Sequence, residues 1–293
     1  MKNKVALIFG SGGQAGFYLS KLLEQRGILP VKISRTIGDA IGNVGDHSFV
    51  ESLIKQYQPD LIFHLAANST AAHSALFDNH EAICTGTLNI LEFARLHCSS
   101  AKIFLSGSAL QFKNEGLPIN EQTGFEASSA YAVSRIQSVY AARYYRKAFG
   151  LRIYVGYFFN HDSPHRTEKH VNQKIAKAAQ RIAQGSKEKL EIGNIDVHKE
   201  FNFSRDAMEA VLKLMGQENV FEAVIGSGKA YSIKDWASSC FEKLDLNWQD
   251  HIILQEGFVP EYKILVSDPK LILSLGWEPQ VDFNQMVNMM IHE

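Results

Sequence analysis

Short apolar runs alternate with longer amphipathic stretches over the first half of the chain. Several of these runs are apolar throughout, which is typical of strands in a parallel sheet that is covered on both faces. The predicted strands are residues 5–9, 31–34, 61–65, 103–106 and 151–156. The helices predicted between them are residues 17–26, 47–57, 79–97 and 129–149. Strands that alternate with helices indicate βαβ units and a doubly wound sheet.

Beyond residue 156 the alternation becomes less regular. The pattern predicts helices at residues 171–184, 206–214, 233–244, 269–275 and 283–291, and strands at 221–225 and 264–266. No internal repeat or low-complexity linker separates the two parts of the sequence. We therefore expect an α/β fold, with a doubly wound parallel sheet over residues 1–156 and a smaller C-terminal α/β lobe over residues 157–293. The lobe should pack on the first domain and return some elements to its sheet.

Composition places the chain among ordinary globular proteins. Of its 293 residues 45% are hydrophobic, and 30 Lys+Arg against 31 Asp+Glu give a net charge of −1. The apolar content argues against disorder, and the balanced charge argues against a nucleic-acid partner. The 3 cysteines are too few and too scattered for a disulfide framework or a zinc site. No apolar window has the length of about 18 residues that suits a membrane helix. The run at residues 5–9 is too short for a secretory signal, so a cytoplasmic location is expected.

A glycine-rich turn follows the first strand and opens the first helix. It contains Gly10, Gly12, Gly13 and Gly16, with Gln14 among them. Glycines permit a tight turn and let backbone N–H groups approach a pyrophosphate at the helix N-terminus. Because the pattern stands in a strand–turn–helix context, it predicts a Rossmann domain that binds a dinucleotide. A purely structural turn is the alternative.

The end of the second predicted strand indicates which dinucleotide is bound. An acidic residue there would bond the ribose 2′-hydroxyl of NAD, whereas an arginine accommodates the 2′-phosphate of NADP. Ser34 and Arg35 stand at this place, and no acid follows until Asp39. The sequence therefore favours NADP; NAD, with Arg35 as an exposed loop residue, is the alternative. Asp46 is a candidate acceptor for the adenine amino group or, almost equally, a plain turn residue.

Tyr131 and Arg135 lie four residues apart on a predicted helix and so share one face. A positive charge beside a phenol stabilises the phenolate. The pair therefore suits proton transfer at a sugar hydroxyl while a hydride moves.

This helix and the glycine turn together resemble the extended short-chain dehydrogenase/reductases, the NAD-dependent epimerase/dehydratase family. More specific segments resemble its GDP-mannose 4,6-dehydratase branch, and they cover essentially the whole chain. The matching segments are residues 10–23, 64–69, 86–88, 129–133, 159–166, 193–196 and 268–279. The resemblance implies that Ala66 and Ala67 lie at the cofactor. It also implies a reaction in which NADP oxidises C4 of a hexose and a glutamate removes the C5 proton. Water then leaves from C6, and the hydride returns there.

The chain departs from that branch at its catalytic positions. Arg135 replaces the family's lysine, Gly107 its hydroxyl residue and Ala109 its glutamate base. A guanidinium keeps the positive charge but cannot copy the contacts of an ammonium, and a methyl group cannot accept a proton. Ser106 and Ser108 flank the missing hydroxyl and are therefore the candidate catalytic hydroxyls.

Substitute bases could come from loops that approach the cleft, at His73, Glu115 and Glu121. Residues of these types are more often solvated surface groups. We therefore expect hydride chemistry at C4 with weak dehydration or none.

By resemblance, the sugar nucleotide contacts Asn160, Lys174 and Glu261, and Glu261 stands where a guanosine-ribose ligand is expected. Lys199 replaces a diphosphate-binding arginine, and Arg205 lies near enough in sequence to compensate. The expected substrate is therefore a nucleotide sugar, specifically a GDP-hexose.

No metal site and no membrane partner are expected. His161 and His165 have the spacing of a helical metal pair, but Pro164 breaks the helix and no carboxylate completes a ligand set. By resemblance, the predicted helices at residues 79–97 and 129–149 form the faces of a homodimer.

Three functions stay open at this point. The leading one is an NADP-linked nucleotide-sugar enzyme that resembles the dehydratases but has an altered active site. The second is a non-dehydrating 4-dehydrogenase, 4-keto reductase or epimerase. The third is a catalytically silent member that binds cofactor or sugar nucleotide as a regulatory ligand.

Overall fold

A computed structural model describes residues 4–292 of the chain. Its strands are β1 (Val5–Phe9), β2 (Leu29–Ser34), β3 (Ala40–Ile41), β4 (Leu61–His64), β5 (Lys102–Ser108), β6 (Arg152–Phe158), β7 (His161–Asp162), β8 (Leu190–Ile192), β9 (His198–Glu200), β10 (Asn202–Phe203), β11 (Glu222–Ile225), β12 (Ala230–Ser232), β13 (Ile252–Leu254) and β14 (Ile264–Leu265). Its helices are α1 (Gln14–Gln25), α2 (His47–Tyr57), α3 (Leu76–Asn79), α4 (Gly86–His97), α5 (Ala130–Phe149), α6 (Val171–Ala183), α7 (Ser204–Met215), α8 (Ile233–Glu242), α9 (Lys270–Ser274) and α10 (Phe283–His292).

Parallel strands form a 7-stranded central sheet in the order β11-β6-β5-β4-β1-β2-β3. The strand order reverses at β1, because β2 and β3 lie on one side of it and β4 to β6 on the other. Sheets of this kind bind ligands in the crevice outside the carboxyl ends of the strands at such a reversal. The predicted α/β fold with a doubly wound parallel sheet is confirmed.

The side chains of β1 explain why the strand runs are apolar throughout. Ala6 and Ile8 belong to a buried cluster on one face of the sheet, and Val5, Leu7 and Phe9 belong to a second cluster on the other face. Successive side chains of a strand point to opposite faces. A strand that is covered on both sides therefore needs an apolar residue at every position.

The predicted helix at residues 79–97 is interrupted in the structure. The short helix α3 is followed by a π-helical segment, His80–Thr85, and only then by α4. Local π-helical hydrogen bonding is frequent at functional sites, but a hydrophobic period does not reveal it. The short strand β3 is equally absent from the prediction, because two residues are too few to show a period.

The C-terminal lobe contacts the first domain through helices as well as a strand. Helix α7 lies against α1 and β6, and β11 is the edge strand beside β6. The remaining strands form small sheets that pair β7 with β10, β8 with β13, and β9 with both β12 and β14. The division at residue 156 stays a prediction, and its outer limits, residues 1 and 293, lie outside the described residues.

Candidate active site

A cavity of about 600 Å³ opens at the crevice beside β1. Its wall includes the glycine turn after β1, the ends of β2, β5 and β6, and Ala66 and Ala67 after β4. The lobe contributes Lys199, Glu261 and Tyr262. The fold therefore brings segments that are distant in the sequence to one site.

Gly10 and Gly16 allow backbone segments to approach more closely than any side chain would permit. A Cβ at Gly10 would lie 2.5 Å from the amide nitrogen of Ala66, and Gly10 has a φ of +92°. A Cβ at Gly16 would lie 2.5 Å from the Cα of Ser11. These glycines are therefore required by the shape of the turn itself, whatever it binds.

Gly12, Gly13 and Gln14 line the cavity where α1 begins. The first N–H groups of a helix have no intrahelical partner, so this end can bind an anion. The Gln14 side chain is engaged by the lobe: it donates to the carbonyl oxygen of His161 at 2.8 Å and accepts from the Ser163 hydroxyl at 2.8 Å. Gln14 thereby ties the glycine turn to the segment that follows β6.

The loop after β2 places Arg35 at one end of the cavity. The Ser34 hydroxyl accepts from the N–H of Ile37 at 3.0 Å and donates to its carbonyl oxygen at 2.5 Å, which closes the loop into a tight turn. Asp46 does not belong to the wall of this cavity. Its carboxylate caps α2 by accepting from the N–H of Phe49 at 3.1 Å, so it acts as a turn and cap residue here.

Tyr131, Arg135 and Ser106 meet at the cavity wall. Arg135 Nε donates to the Tyr131 hydroxyl at 3.2 Å, and a terminal nitrogen of Arg135 donates to Ser106 Oγ at 2.8 Å and to the Ser106 carbonyl oxygen. Ser106 Oγ donates in turn to the carbonyl oxygen of His64 at 3.0 Å. Arg135 is only 4% exposed, so little water screens its charge from the phenol.

Asn160, Lys199 and Glu261 reach the same cavity from the lobe. Burial lowers the pKa of Lys199 to about 8, although the charge of Asp162 acts in the opposite direction. The Lys199 ammonium has no hydrogen bond or ion pair with any described residue and lies 5.4 Å from the centre of the Phe201 ring. A buried cation that faces a cavity and has no hydrogen-bonded anion beside it is suited to an anionic group of a ligand.

Lys174 and Arg205 are not brought to this cavity. Lys174 Nζ donates to the carbonyl oxygen of Glu191 at 2.8 Å. Arg205 lies on α7, where its guanidinium is 3.9 Å from the carboxylate of Glu209. The family resemblance suggested Lys174, and nearness to Lys199 in the sequence suggested Arg205, but neither residue belongs to the cavity wall.

Asp162, Arg166 and His170 form a charged cluster on the cavity wall that the sequence analysis did not predict. Arg166 Nε lies 3.4 Å from the Asp162 carboxylate, and the Arg166 guanidinium donates to Nδ1 of His170 at 3.0 Å. Burial, followed by the charge of Arg166, lowers the pKa of His170 to about 4. A signal was present, because Asp162 and Arg166 follow the fifth predicted strand, where a crevice of this kind opens.

The described residues contain no group of three or more side chains that could hold a metal ion. Nδ1 of His161 is instead 3.2 Å from the carbonyl oxygen of Phe159. Over residues 4–292, no helix is both long enough and apolar enough to span a membrane.

Comparison with known proteins identifies the family. The model of the family described as GDP-mannose 4,6 dehydratase matches residues 7–290. GDP-mannose 4,6 dehydratase 2 of Arabidopsis thaliana is 31% identical over 99% of this chain and 86% of its own length. The chain belongs to the GDP-mannose 4,6-dehydratase family. The resemblance drawn from the motifs is thereby confirmed, as is the expectation of an enzyme of the nucleotide-sugar dehydratase and epimerase class.

Solved structures share the fold. RMD from Pseudomonas aeruginosa, complexed with NADPH, superimposes with a TM-score of 0.88 at 21% identity, covering 99% of this chain and 98% of that one. UDP-glucose 4-epimerase of Thermus thermophilus, in complex with NAD, has a TM-score of 0.84 at 18% identity and covers 98% and 97%. At these identities the likeness establishes the architecture alone.

At Gly107, where the family resemblance expects a hydroxyl residue, no space is left for a side chain. A Cβ at Gly107 would lie 2.6 Å from Cδ1 of Tyr157 and 3.1 Å from Oε1 of Gln111. The Tyr157 hydroxyl donates to Glu222 at 2.6 Å, which holds the ring in this place. The Tyr157 ring therefore leaves room for glycine at position 107 but not for a larger residue.

Ser108 is the flanking hydroxyl that stays available to a ligand. Its Oγ accepts from the N–H of Leu110 at 3.2 Å and lines the cavity, while its own proton has no acceptor among residues 4–292. Ser106, in contrast, both accepts from Arg135 and donates to His64.

Ala109 stands where the family resemblance expects a glutamate base, and the substitute bases suggested from the loops do not reach the cavity wall. Ala109 is 2% exposed and packs within an apolar cluster. Glu121 accepts from the N–H of Val224 at 2.7 Å, and Glu115 lies in an exposed ion pair. Neither of these residues, nor His73, belongs to the wall of the cavity.

Proposed function

We propose that the protein is an NADP-dependent nucleotide-sugar enzyme that acts on a GDP-hexose by hydride chemistry at C4 and dehydrates it poorly or not at all. One observation carries the proposal. Tyr131 and Arg135 form a hydrogen-bonded acid–base pair at the cavity wall, whereas Ala109 offers no carboxylate where the family has its base. The pair supports oxidation or reduction at C4, and the alanine lacks the carboxylate that serves as the base for elimination in the family.

The residues present fit a nicotinamide dinucleotide. Gly10 and Gly16 shape the turn that brings Gly12 and Gly13 to the cavity wall, and the free N–H groups at the start of α1 suit a pyrophosphate. Arg35 supports NADP over NAD, because a guanidinium can bind a 2′-phosphate bidentately. When bound, such a cofactor exchanges a hydride with the carbon that carries the reacting hydroxyl. NADPH and NAD in structures of the same fold support this class of cofactor.

Each catalytic side chain then has a defined task. Tyr131 takes the proton of the C4 hydroxyl or returns it, with its phenolate stabilised by Arg135. Arg135 keeps its charge throughout, because a guanidinium does not deprotonate in proteins. Ser108 donates to the C4 oxygen in place of the hydroxyl that Gly107 lacks. Since Ala109 cannot remove the C5 proton, the C6 hydroxyl is retained.

The lobe supplies the substrate contacts. Lys199 and Arg166 bring positive charge for a diphosphate, and Asn160 and Glu261 bring acceptors for hydroxyl groups. Membership of the GDP-mannose 4,6-dehydratase family supports a GDP-linked hexose as the substrate.

The test is to incubate the protein with NADP and GDP-mannose, and then with related sugar nucleotides. Absorbance of the reduced cofactor reports hydride transfer, and NMR of the sugar reports its product. We expect a 4-keto or C4-epimerised product that retains oxygen at C6. Efficient formation of a 6-deoxy-4-keto sugar from GDP-mannose would contradict the proposal.

A catalytically silent, ligand-binding role is the second candidate. The closure of the hydroxyl position by the Tyr157 ring favours it, because restoring that hydroxyl would require more than one substitution. Calorimetric binding of NADP or GDP-mannose without turnover would support this role over the first.

We also propose a homodimer formed through α4 and α5. Leu88, Tyr140 and Tyr144 are 44%, 58% and 60% exposed on these helices, and clustered apolar exposure marks association surfaces. Light scattering should give twice the chain mass of 32.8 kDa, and Tyr144→Glu should shift it to the monomer. Leu273→Glu, on α9, is the control and should leave the dimer intact, whereas a monomeric wild type would refute this assembly.

A cytoplasmic location completes the proposal. It is supported by Cys84, Cys98 and Cys240, which are all free thiols. Fractionation of cells that express the full chain should recover it with cytoplasmic markers, and recovery from a secreted fraction would contradict this location.

A further inference from the structure

The carboxylate of Glu200 is completely buried and is surrounded by hydrogen-bond donors. Its Oε1 accepts from the N–H and from the hydroxyl of Ser267, each at 2.6 Å. Its Oε2 accepts from the N–H of Ser227 at 2.6 Å, from the hydroxyl of Ser227 at 3.3 Å and from Asn202 Nδ2 at 2.9 Å. No described cation forms an ion pair with Glu200, so hydrogen bonds alone satisfy the carboxylate.

These donors come from three separate parts of the chain. Ser227 follows β11, the edge strand of the main sheet, and Ser267 follows β14. Asn202 lies on β10, which pairs with β7 directly after β6. The packing is tight, because a Cβ at Gly226 would lie 2.5 Å from Oε2 of Glu200. The carboxylate therefore fastens the lobe to the sheet beside the cavity.

Lys199, the preceding residue of β9, faces the cavity. Successive side chains of a strand point to opposite sides, so the burial of Glu200 on one side directs Lys199 to the other. The strand is short and pairs Lys199 with Tyr231 on β12 and with Leu265 on β14. Since no described residue holds the Lys199 ammonium by a hydrogen bond or an ion pair, its position depends on the strand that carries it and on the Phe201 ring, which belongs to the same segment.

We propose that Glu200 is the positioning residue that holds Lys199 at the cavity wall and thereby sets the affinity for the phosphate groups of a nucleoside diphosphate. The choice of this ligand class rests on the proposed function. The charges of Asp162, Arg166 and His170 interact with that of Lys199, and all three residues lie between β6 and α6.

Asp206 offers a matched control. It is a buried carboxylate in the same lobe that accepts from the N–H groups of Gln280 at 2.8 Å and Val281 at 2.9 Å. It does not belong to the cavity wall. Glu200→Gln and Asp206→Asn therefore make the same chemical change to similar bonds, at the cavity and away from it.

The first measurement follows the Lys199 amine directly. Acetic anhydride labels the full-length protein at a series of pH values, and mass spectrometry gives the midpoint pH at which Lys199 becomes reactive. We expect Glu200→Gln to raise this midpoint towards that of exposed lysines, because the ammonium leaves its buried position. Asp206→Asn should lower the melting temperature but leave the midpoint of Lys199 unchanged.

The second measurement is the affinity for GDP by titration calorimetry. Glu200→Gln should lower the affinity for GDP about tenfold, which is the loss expected for one charge-assisted hydrogen bond. The affinity for NADP should not change. In a Lys199→Met background, Glu200→Gln should have no further effect on GDP, because a residue that acts through Lys199 has nothing left to position.

Several results would overturn the proposal. It fails if Glu200→Gln does not change the midpoint pH at which Lys199 is labelled. It also fails if Glu200→Gln lowers the GDP affinity by the same factor in the Lys199→Met background. Should Glu200→Gln not fold, Ser267→Ala removes a single donor and must shift the midpoint in the same direction by less. If the wild type binds no GDP, the proposed substrate class fails, and the labelling midpoint alone decides the role of Glu200.

Discussion

Arg135 uses its guanidinium in a way that a lysine could not reproduce. Its Nε contacts the Tyr131 hydroxyl while a terminal nitrogen contacts both oxygens of Ser106. A planar group with donors fixed in a fork can hold a phenol and a strand at once, whereas an ammonium is a compact point charge. At the scale of single residues, one guanidinium thus links the Tyr131 hydroxyl to β5.

This arrangement predicts the effect of Tyr131→Phe. The phenylalanine keeps the ring but cannot transfer a proton, so the rate of cofactor reduction should fall by about 10²–10⁴-fold. Cofactor affinity measured by fluorescence titration should not change. Tyr57→Phe, on α2, is the control, because Tyr57 does not belong to the cavity wall. A Tyr131→Phe enzyme with the wild-type rate would mean that another group moves the proton.

The contact between Gly107 and Tyr157 predicts a second outcome. Gly107→Ser forces a Cβ to within 2.6 Å of the tyrosine ring, so the free energy of unfolding in urea should fall by about 1–3 kcal/mol. Gly124→Ser is the control, because a Cβ there meets no atom within 4 Å.

The same serine should cost less stability in a Tyr157→Val background, where the ring is gone. Equal losses of stability in both backgrounds would show that Gly107 and Tyr157 are not coupled.

At the scale of elements, the β1–α1 unit supplies the part of the site that depends least on side chains. Backbone approach at Gly10 and Gly16 brings the start of α1 close to the segment after β4. The π-helical segment His80–Thr85 makes a different contribution, since Glu81 and Ala82 within it line the cavity. One element thus presents backbone groups and the other presents side chains.

The glycine turn predicts a difference between two alanine substitutions. Gly10 and Gly27 both have a positive φ, of +92° and +67°, but only a Cβ at Gly10 would meet other atoms within 4 Å. Gly27→Ala should cost about 1–2 kcal/mol of stability and leave NADP binding intact. Gly10→Ala should in addition abolish NADP binding, measured by fluorescence titration. Equal binding by the two variants would show that the turn does not form the cofactor cradle.

At the scale of the whole molecule, buried histidines link stability to pH. Burial, and then the charge of Arg135, lowers the pKa of His64 to about 3. Burial is also the main cause that lowers the pKa of His161 and of His170 to about 4. In the unfolded chain histidine has a pKa of about 6.5. At pH values between this pKa and those of the folded histidines, the unfolded chain therefore binds more protons than the folded chain.

The free energy of unfolding should accordingly fall as the pH is lowered from about 6.5 towards 4, because the histidines of the unfolded chain take up protons first. Urea titrations at several pH values measure this slope. His161→Gln should make the slope shallower, and His73→Gln, at an exposed position, should not change it. A wild type whose stability is constant between pH 6.5 and 4.5 would contradict the assignment, because the low pKa of Glu222, about 2, contributes only below that range.

The sequence by itself determined the elements and the local chemistry of this protein. Apolar runs predicted β1 and the amphipathic pattern predicted α2 with the bounds that the structure has, because period and burial are local properties of the chain. The glycine turn and the spacing of Tyr131 and Arg135 were readable for the same reason, since a turn and a helix face are each defined by nearby residues.

Tertiary structure alone decided which of the candidate side chains share a site. Lys174 matched a family position and Arg205 lay near one in the sequence, but neither belongs to the cavity wall, whereas Asp162 and Arg166 do. Tyr157 closes the space at Gly107 from a neighbouring strand, and no period along the chain encodes that contact. Burial, ion pairing and the availability of a hydroxyl depend on what lies across space, so they are settled only when the strands and the lobe have come together.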